Sequence, residues 1–254
     1  MMKNIGIISI FSAILLGCSQ QHHHDQNANL HHHHWSYVGN EDPAHWGELA
    51  TEYQVCKLGK NQSPVDVSES IETHSHTIKL HTAKTQVKLE NNGHSIQATP
   101  ITANNQLWIK QTPFALQQFH FHTPSEHTFK QKHFPLEAHF VYQNEEGQLA
   151  VIAVFFTLGK ANSELAKLEQ QTLPIGEKHS VTQEVDLAKL MPKNPKHFRL
   201  TGSLTTPPCT EGVNWIIMQQ PIEASQSQID WLANVMGKNN RPLQPLNSRF
   251  IIQE

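Results

Sequence analysis

Between Thr77 and Leu158 the chain breaks into short segments of strand length and strand composition: TIKLH, QVKLE, HSIQAT, QLWIK, FALQQFHFH, PLEAHFVYQ and LAVIAVFFTL. Turn-forming residues separate several of them, namely Asn91-Asn92-Gly93, Asn104-Asn105 and Asn144 to Gly147. Connections this short join antiparallel neighbours, because a parallel pair needs a crossover of a dozen residues or more. The pattern predicts a mainly β fold of the α+β kind: a large central, mostly antiparallel, twisted β-sheet with a few short peripheral helices. Helical spacing occurs only in Ser163–Gln171, Val185–Met191 and Ser225–Met236, and a further strand, Val213–Gln219, follows the SLTTPP turn. From Trp35 to Val67 the periodicity is lost, and Trp35, Tyr37 and Trp46 read as packing anchors of an irregular lead-in. A length of 254 residues fits one large domain.

Side chains alternate along a strand, so in Gln118-Phe119-His120-Phe121-His122 one face carries Gln118, His120 and His122 and the other two phenylalanines. The same parity in Glu137-Ala138-His139-Phe140-Val141 puts Glu137, His139 and Val141 on one face. His122 and His139 are seventeen residues apart, which suits neighbouring strands joined by a long hairpin. Three neutral imidazoles leave the fourth tetrahedral position of a zinc ion open to water, the pattern of catalytic rather than structural zinc. Each ligand ring needs an acceptor on its other nitrogen, and Gln118 and Glu137 have the parity to provide one. A lone strand histidine is more often a hydrogen-bonded core residue, and His-x-His alone is weak evidence. The third histidine with its parity-matched carboxylate is what raises the reading to a metal site. The same letters, His120-x-His122-x-x-x-Glu126 followed by His139, also fit the metal motif of cupins. That motif carries glycines on both sides, and no glycine lies between Gly93 and Gly147.

Histidine is the outlier of the composition, with 19 residues, as many as Lys and Arg together. Seven of these lie in His22–His24 and His31–His34. Lys3 followed by the apolar run Ile5–Gly17 is too short to span a bilayer and reads as an export signal over residues 1–18. Its ending, Leu15-Leu16-Gly17-Cys18, resembles a lipoprotein box, which implies lipidation of Cys18 and a membrane anchor. Residues 19–32 are polar and low in complexity and read as a tether whose histidines capture metal or belong to an expression tag; residues 33–254 form the domain. Periplasm or cell envelope is the expected location. In an oxidising compartment the remaining Cys56 and Cys209 suggest one disulfide, two buried free thiols being the alternative. A formal charge of -3 gives no reason to expect nucleic acid as a partner.

From His33 to about residue 251 the chain resembles an α-class carbonic anhydrase. HHWSY, PAHW, NQSPVDV, NNGHS, QFHFHTPSEHT, EAHFVY, LAVIAVFF, GSLTTPPCTEGVNWII and RPLQPLNSR carry the resemblance, in order. It implies reversible hydration of carbon dioxide to bicarbonate and a proton, with one zinc ion per chain on His120, His122 and His139, and with Gln118 and Glu137 behind them. Glu126 and Thr205 would form a gatekeeping pair, Thr205 accepting from the attacking hydroxide and donating to Glu126, which fixes where the reactive lone pair points. Val141, Val151, Leu204 and Trp215 match an apolar wall for carbon dioxide, and Thr206 a polar neighbour that holds bicarbonate. His94 matches the proton shuttle, with Asn92 and Gln97 on the cavity rim. Cys56 and Cys209 sit where secreted members carry a disulfide, and such bacterial members are often homodimers. The competing reading is an extracytoplasmic zinc-binding or zinc-buffering protein, motivated by the histidine tract; that role has no need of Glu126, Thr205 or His94.

Overall fold

The computed structural model describes residues 34–74, 77–169 and 173–254, all within one compact unit, His33–Glu254. Cys18, the leader, the tether and all the tract histidines except His34 lie outside the described residues.

At the centre the strand Thr112–His122 pairs antiparallel with Leu136–Gln143, which pairs antiparallel with Leu149–Leu158. Val87–Asn91 and Ile96–Pro100 extend the sheet on the far side of Thr112–His122, while Glu211–Met218 and His197–Ser203 extend it beyond Leu149–Leu158. Among the described residues this sheet has 13 strands. Each strand expected between Thr77 and Leu158 is present, as is the later one, over Glu211–Met218. Most pairings are antiparallel, but Leu149–Leu158 pairs parallel with Glu211–Met218. That pairing brings the SLTTPP turn beside the histidine strands.

Alternation sorts the side chains into two apolar layers. Phe119, Phe121, Phe140, Ile152, Val154 and Phe156 join one cluster, under the helices Ser163–Glu169 and Gln226–Met236. Val151, Ala153, Phe155, Val213, Trp215 and Ile217 join another, with opposite parity on the same strands. The polar site shares the second face. Gln226–Met236 starts at a capping box, Ser225 Oγ accepting from the Gln228 amide while the Gln228 side chain accepts from the Ser225 amide.

The expected helix Val185–Met191 is not one. Val185–Asp186 pairs with Lys84–Thr85, and Asp186 then caps a 3-10 turn, Leu187–Leu190, through a bond from the Ala188 amide. Leu187 and Leu190 are buried at that three-residue spacing, which one 3-10 turn satisfies as well as a helix does. The lead-in packs as expected: Trp46 is fully buried and its Nε1 donates to the carbonyls of Ser36 and Glu41. Cys56 and Cys209 are disulfide-bonded, and both pack into this aromatic cluster.

Candidate metal centre and its cleft

His120 and His139 are cross-strand partners, and His122 lies two residues further along, opposite Glu137. Their ring centroids are 5.0 Å (His120–His122), 5.3 Å (His120–His139) and 4.5 Å (His122–His139) apart. One nitrogen from each ring lies within 4.8 Å of the other two.

The outward nitrogens each meet an acceptor. His120 Nδ1 donates to Gln118 Oε1 at 2.8 Å, His122 Nδ1 to the Asn239 carbonyl at 2.8 Å, and His139 Nε2 to Glu137 Oε1 at 2.9 Å. A neutral imidazole that donates from one nitrogen offers a lone pair from the other. The convergent donors are therefore Nε2, Nε2 and Nδ1. Burial pushes His120 well below its ordinary pKa, helped by the neighbouring imidazoles, and burial likewise lowers His122, so both are neutral at pH 7. His122 Nε2 is buried with no hydrogen-bond partner among the described residues. Three convergent lone pairs, one otherwise orphaned, fit a tetrahedral zinc ion with one position left over.

Glu137 does more than hold His139. Its Oε1 also accepts from His127 Nδ1, and its Oε2 from the amides of Glu126 and His127. Burial raises its pKa, but His127 and His139 outweigh that and hold the carboxyl far below the usual range.

Glu126 is buried beside the donors, with Oε2 at 3.6 Å from His122 Nε2 and 3.8 Å from His139 Nδ1. Its Oε1 accepts from the Arg241 amide at 2.9 Å, and Oε2 has no hydrogen-bond partner among the described residues. The expected bond from Thr205 to Glu126 is therefore not made to Oε2. One oxygen is committed to the main chain and the other turns toward the ligand nitrogens, while Thr205 is buried on the SLTTPP turn.

Val141, Val151 and Trp215 occupy successive registers across three adjacent strands, an apolar row beside the histidines, and Leu204 packs against the same cluster. The Trp215 ring is 4.9 Å from that of His139. His94, Asn92, Gln97 and Thr206 line one cleft with His120 and His122. His94 lies flat on Trp35, centroids 3.7 Å apart and planes 9° apart. Burial, then the nearby His34, lowers its pKa. Asn92 Oδ1 accepts from the amides of His94 and Ser95, which fixes the turn.

Residues 41–254 match the sequence profile of the family described as "Eukaryotic-type carbonic anhydrase". The chain belongs to the α-carbonic anhydrase family. It is 43% identical over 222 residues to the carbonic anhydrase of Pectobacterium atrosepticum, covering 86% of this chain and 90% of that protein. It is 39% identical over 243 residues to that of Neisseria gonorrhoeae, with 95% of each covered. Among solved structures, the α-carbonic anhydrase of Thermovibrio ammonificans in complex with the inhibitor sulfanilamide superposes with a TM-score of 0.83 at 42% identity, over 86% of this chain and 98% of that one.

In this carbonic anhydrase, three functional positions escaped sequence reasoning. Asn239 holds His122 through a main-chain carbonyl, which no side-chain pattern signals. His127 shares Glu137 with His139, and it lies past the end of the strand that carries His120 and His122, where strand parity gives no signal. Trp35, read as packing, also carries the ring of His94.

Proposed function

We propose that this enzyme hydrates carbon dioxide reversibly at His120, His122 and His139, which hold one zinc ion. The observation that carries this reading is the convergence of three lone-pair nitrogens, each fixed by an acceptor behind it, beside an apolar row. A zinc ion held this way acidifies water to a pKa of about 7, a figure characteristic of carbonic anhydrases as a class. The chain supplies the rest. Val141, Val151, Leu204 and Trp215 keep a dry surface for an apolar linear substrate. Thr205 Oγ1 would accept a hydrogen bond from the attacking oxygen and so aim its lone pair, and Glu126, whose Oε2 has no hydrogen-bond partner among the described residues, is the carboxylate assigned to accept the threonine proton. Thr206 steadies bicarbonate. His94, at the mouth of the cleft, takes the released proton on its imidazole and passes it to bulk buffer.

Stopped-flow hydration tests this, with zinc measured on the same sample. The expected result is catalysis that a strong chelator abolishes and added zinc restores. Zinc-loaded protein that hydrates carbon dioxide no faster than buffer overturns it.

We further propose that residues 1–18 export the chain, that Cys18 carries a lipid, and that the mature protein resides in the periplasm or envelope. The Cys56–Cys209 disulfide accords with an oxidising compartment. Fatty-acid labelling lost in Cys18→Ser supports the anchor, and labelling of neither protein removes it. The tract at residues 19–32 is an accessory zinc binder: its deletion lowers total zinc per chain and leaves turnover unchanged. A loss of turnover on that deletion would instead tie zinc supply to the tract. Solution mass tests the homodimer suggested by the family.

A further inference from the structure

We infer that Arg241 is a positioning residue of this site, setting Glu126 and the turn that carries Thr205 in one frame; the inference rests on the enzymatic reading above. Arg241 is only 2% exposed, and taking a guanidinium out of water is costly unless its donors are met. They are met by one segment of the lead-in. Nη1 donates to Gln62 Oε1 at 2.9 Å and to the Ser63 carbonyl at 2.8 Å, and Nη2 to the Cys56 carbonyl at 2.8 Å. The guanidinium also lies over the Trp46 ring, 5.7 Å from its centroid. Among the described residues it makes no ion pair with a carboxylate. An apolar side chain would fill the volume at less cost, so what the guanidinium adds is direction: a planar fork fixed to three acceptors.

That fork fixes two things. The first is the amide of Arg241 itself, which donates to Glu126 Oε1 at 2.9 Å. Every substitution except proline keeps that amide, so the side chain acts through it by deciding where it sits, and its charge acts on Glu126 besides. The second is the SLTTPP turn. Gln62, gripped at Oε1 by Arg241, donates from Nε2 to the Cys209 carbonyl at 3.1 Å, and Cys56, gripped at its carbonyl, is bonded to Cys209. The Leu204 amide donates to the Thr210 carbonyl at 2.9 Å and closes the turn around Thr205. Glu126 and Thr205 reach the site on different segments, and both segments are referenced to one buried side chain.

Lysine at this position reaches fewer of the acceptors, and glutamine fewer still. Arg241→Lys, Arg241→Gln and Gln62→Ala, the last removing the link from Arg241 through Gln62 to Cys209 together with the Gln62 bond to Glu211 Oε1, are compared with wild type as zinc-loaded enzyme. Hydration in strong buffer is expressed per bound zinc, alongside thermal unfolding and hydrogen exchange at the residue 241 amide. Arg241→Gln is expected to lower kcat/KM about 10- to 100-fold, since displacements near 1 Å act at that scale, with Arg241→Lys and Gln62→Ala between it and wild type. In a Glu126→Gln background the two Arg241 variants should lose less than in the wild-type background, because the part of their effect that passes through Glu126 is gone and only the part through the Thr205 turn remains. Gln62→Ala, which acts on the turn, should keep its loss. Amide exchange at residue 241 should accelerate about ten-fold in Arg241→Gln while amides of the central strands stay protected, a readout independent of turnover. Equal losses of the Arg241 variants in both backgrounds overturn the inference. So does unchanged kcat/KM per zinc with only a lower melting temperature, or unchanged exchange in the folded Arg241→Lys protein. A zinc-loaded wild type without hydration would overturn the enzymatic reading instead, and amide exchange would still decide the role of Arg241.

Discussion

His120 and His139 stand directly opposite each other on antiparallel neighbours, their imidazole centroids 5.3 Å apart. Opposed positions on a pleated sheet put two Cβ atoms about 4.5–5.5 Å apart, so the register alone brings the two rings to one point. His122, two residues along the same face, completes the triangle. His139→Ala should abolish both zinc retention and hydration. Gln118→Ala should keep the site but weaken zinc binding about 10- to 100-fold, because His120 loses the acceptor that fixes its ring. Competition with a chelator measures both, and a Gln118→Ala affinity equal to wild type would remove Gln118 from the site.

His94 is held by stacking on Trp35, and among the described residues no hydrogen bond to its ring accompanies it. His94→Ala should slow turnover in weak buffer on the order of 10²-fold, with rescue by added imidazole, while Trp35→Ala should do so less. Steady-state rates across buffer concentrations check this. Equal rates for His94→Ala and wild type in weak buffer would assign the shuttle to another histidine.

The Cys56–Cys209 bond links residues 153 positions apart. Closing so long a loop removes much unfolded-state entropy, and losing a native disulfide typically costs about 2–5 kcal/mol. The Cys56→Ser/Cys209→Ser double variant should be less stable by that amount, read as a lower denaturant midpoint at unchanged slope. An unchanged midpoint would mean that the strands alone hold the turn.

Glu164 is fully buried, which opposes its charge, yet Lys167 at 2.6 Å, the Asp186 amide at 2.8 Å and Ser163 at 2.9 Å outweigh burial and lower its pKa. A lowered native pKa stabilises the fold above the ordinary carboxylate range, and that contribution is lost as pH falls through the native value. Glu164→Gln cannot ionise, so its stability deficit should be largest near pH 7 and shrink toward pH 3. Urea midpoints at pH 7, 5, 4 and 3 give the comparison; a deficit constant with pH would show that shape, not charge, is what Glu164 contributes.

Much of this was legible in the residues because alternation is local. The order of Phe and His in QFHFH determines by itself which side chains face the core and which the cleft, and the strands bear it out down to the two apolar layers. The parity of Gln118 and Glu137 likewise pointed to the acceptors they are. The helix expected at Val185–Met191 failed because two leucines three apart suit a single 3-10 turn equally well, and only the neighbouring strand Lys84–Thr85 decides between them. The Asn239 carbonyl on His122 and the Arg241 amide on Glu126 were invisible for a deeper reason. Every residue has a carbonyl and nearly every residue an amide, so their identity carries no signal. Sequence determined which side chains share a face; only the folded chain, bringing residues 239 and 241 more than a hundred positions back to the histidine strand, decided which backbone groups aim them.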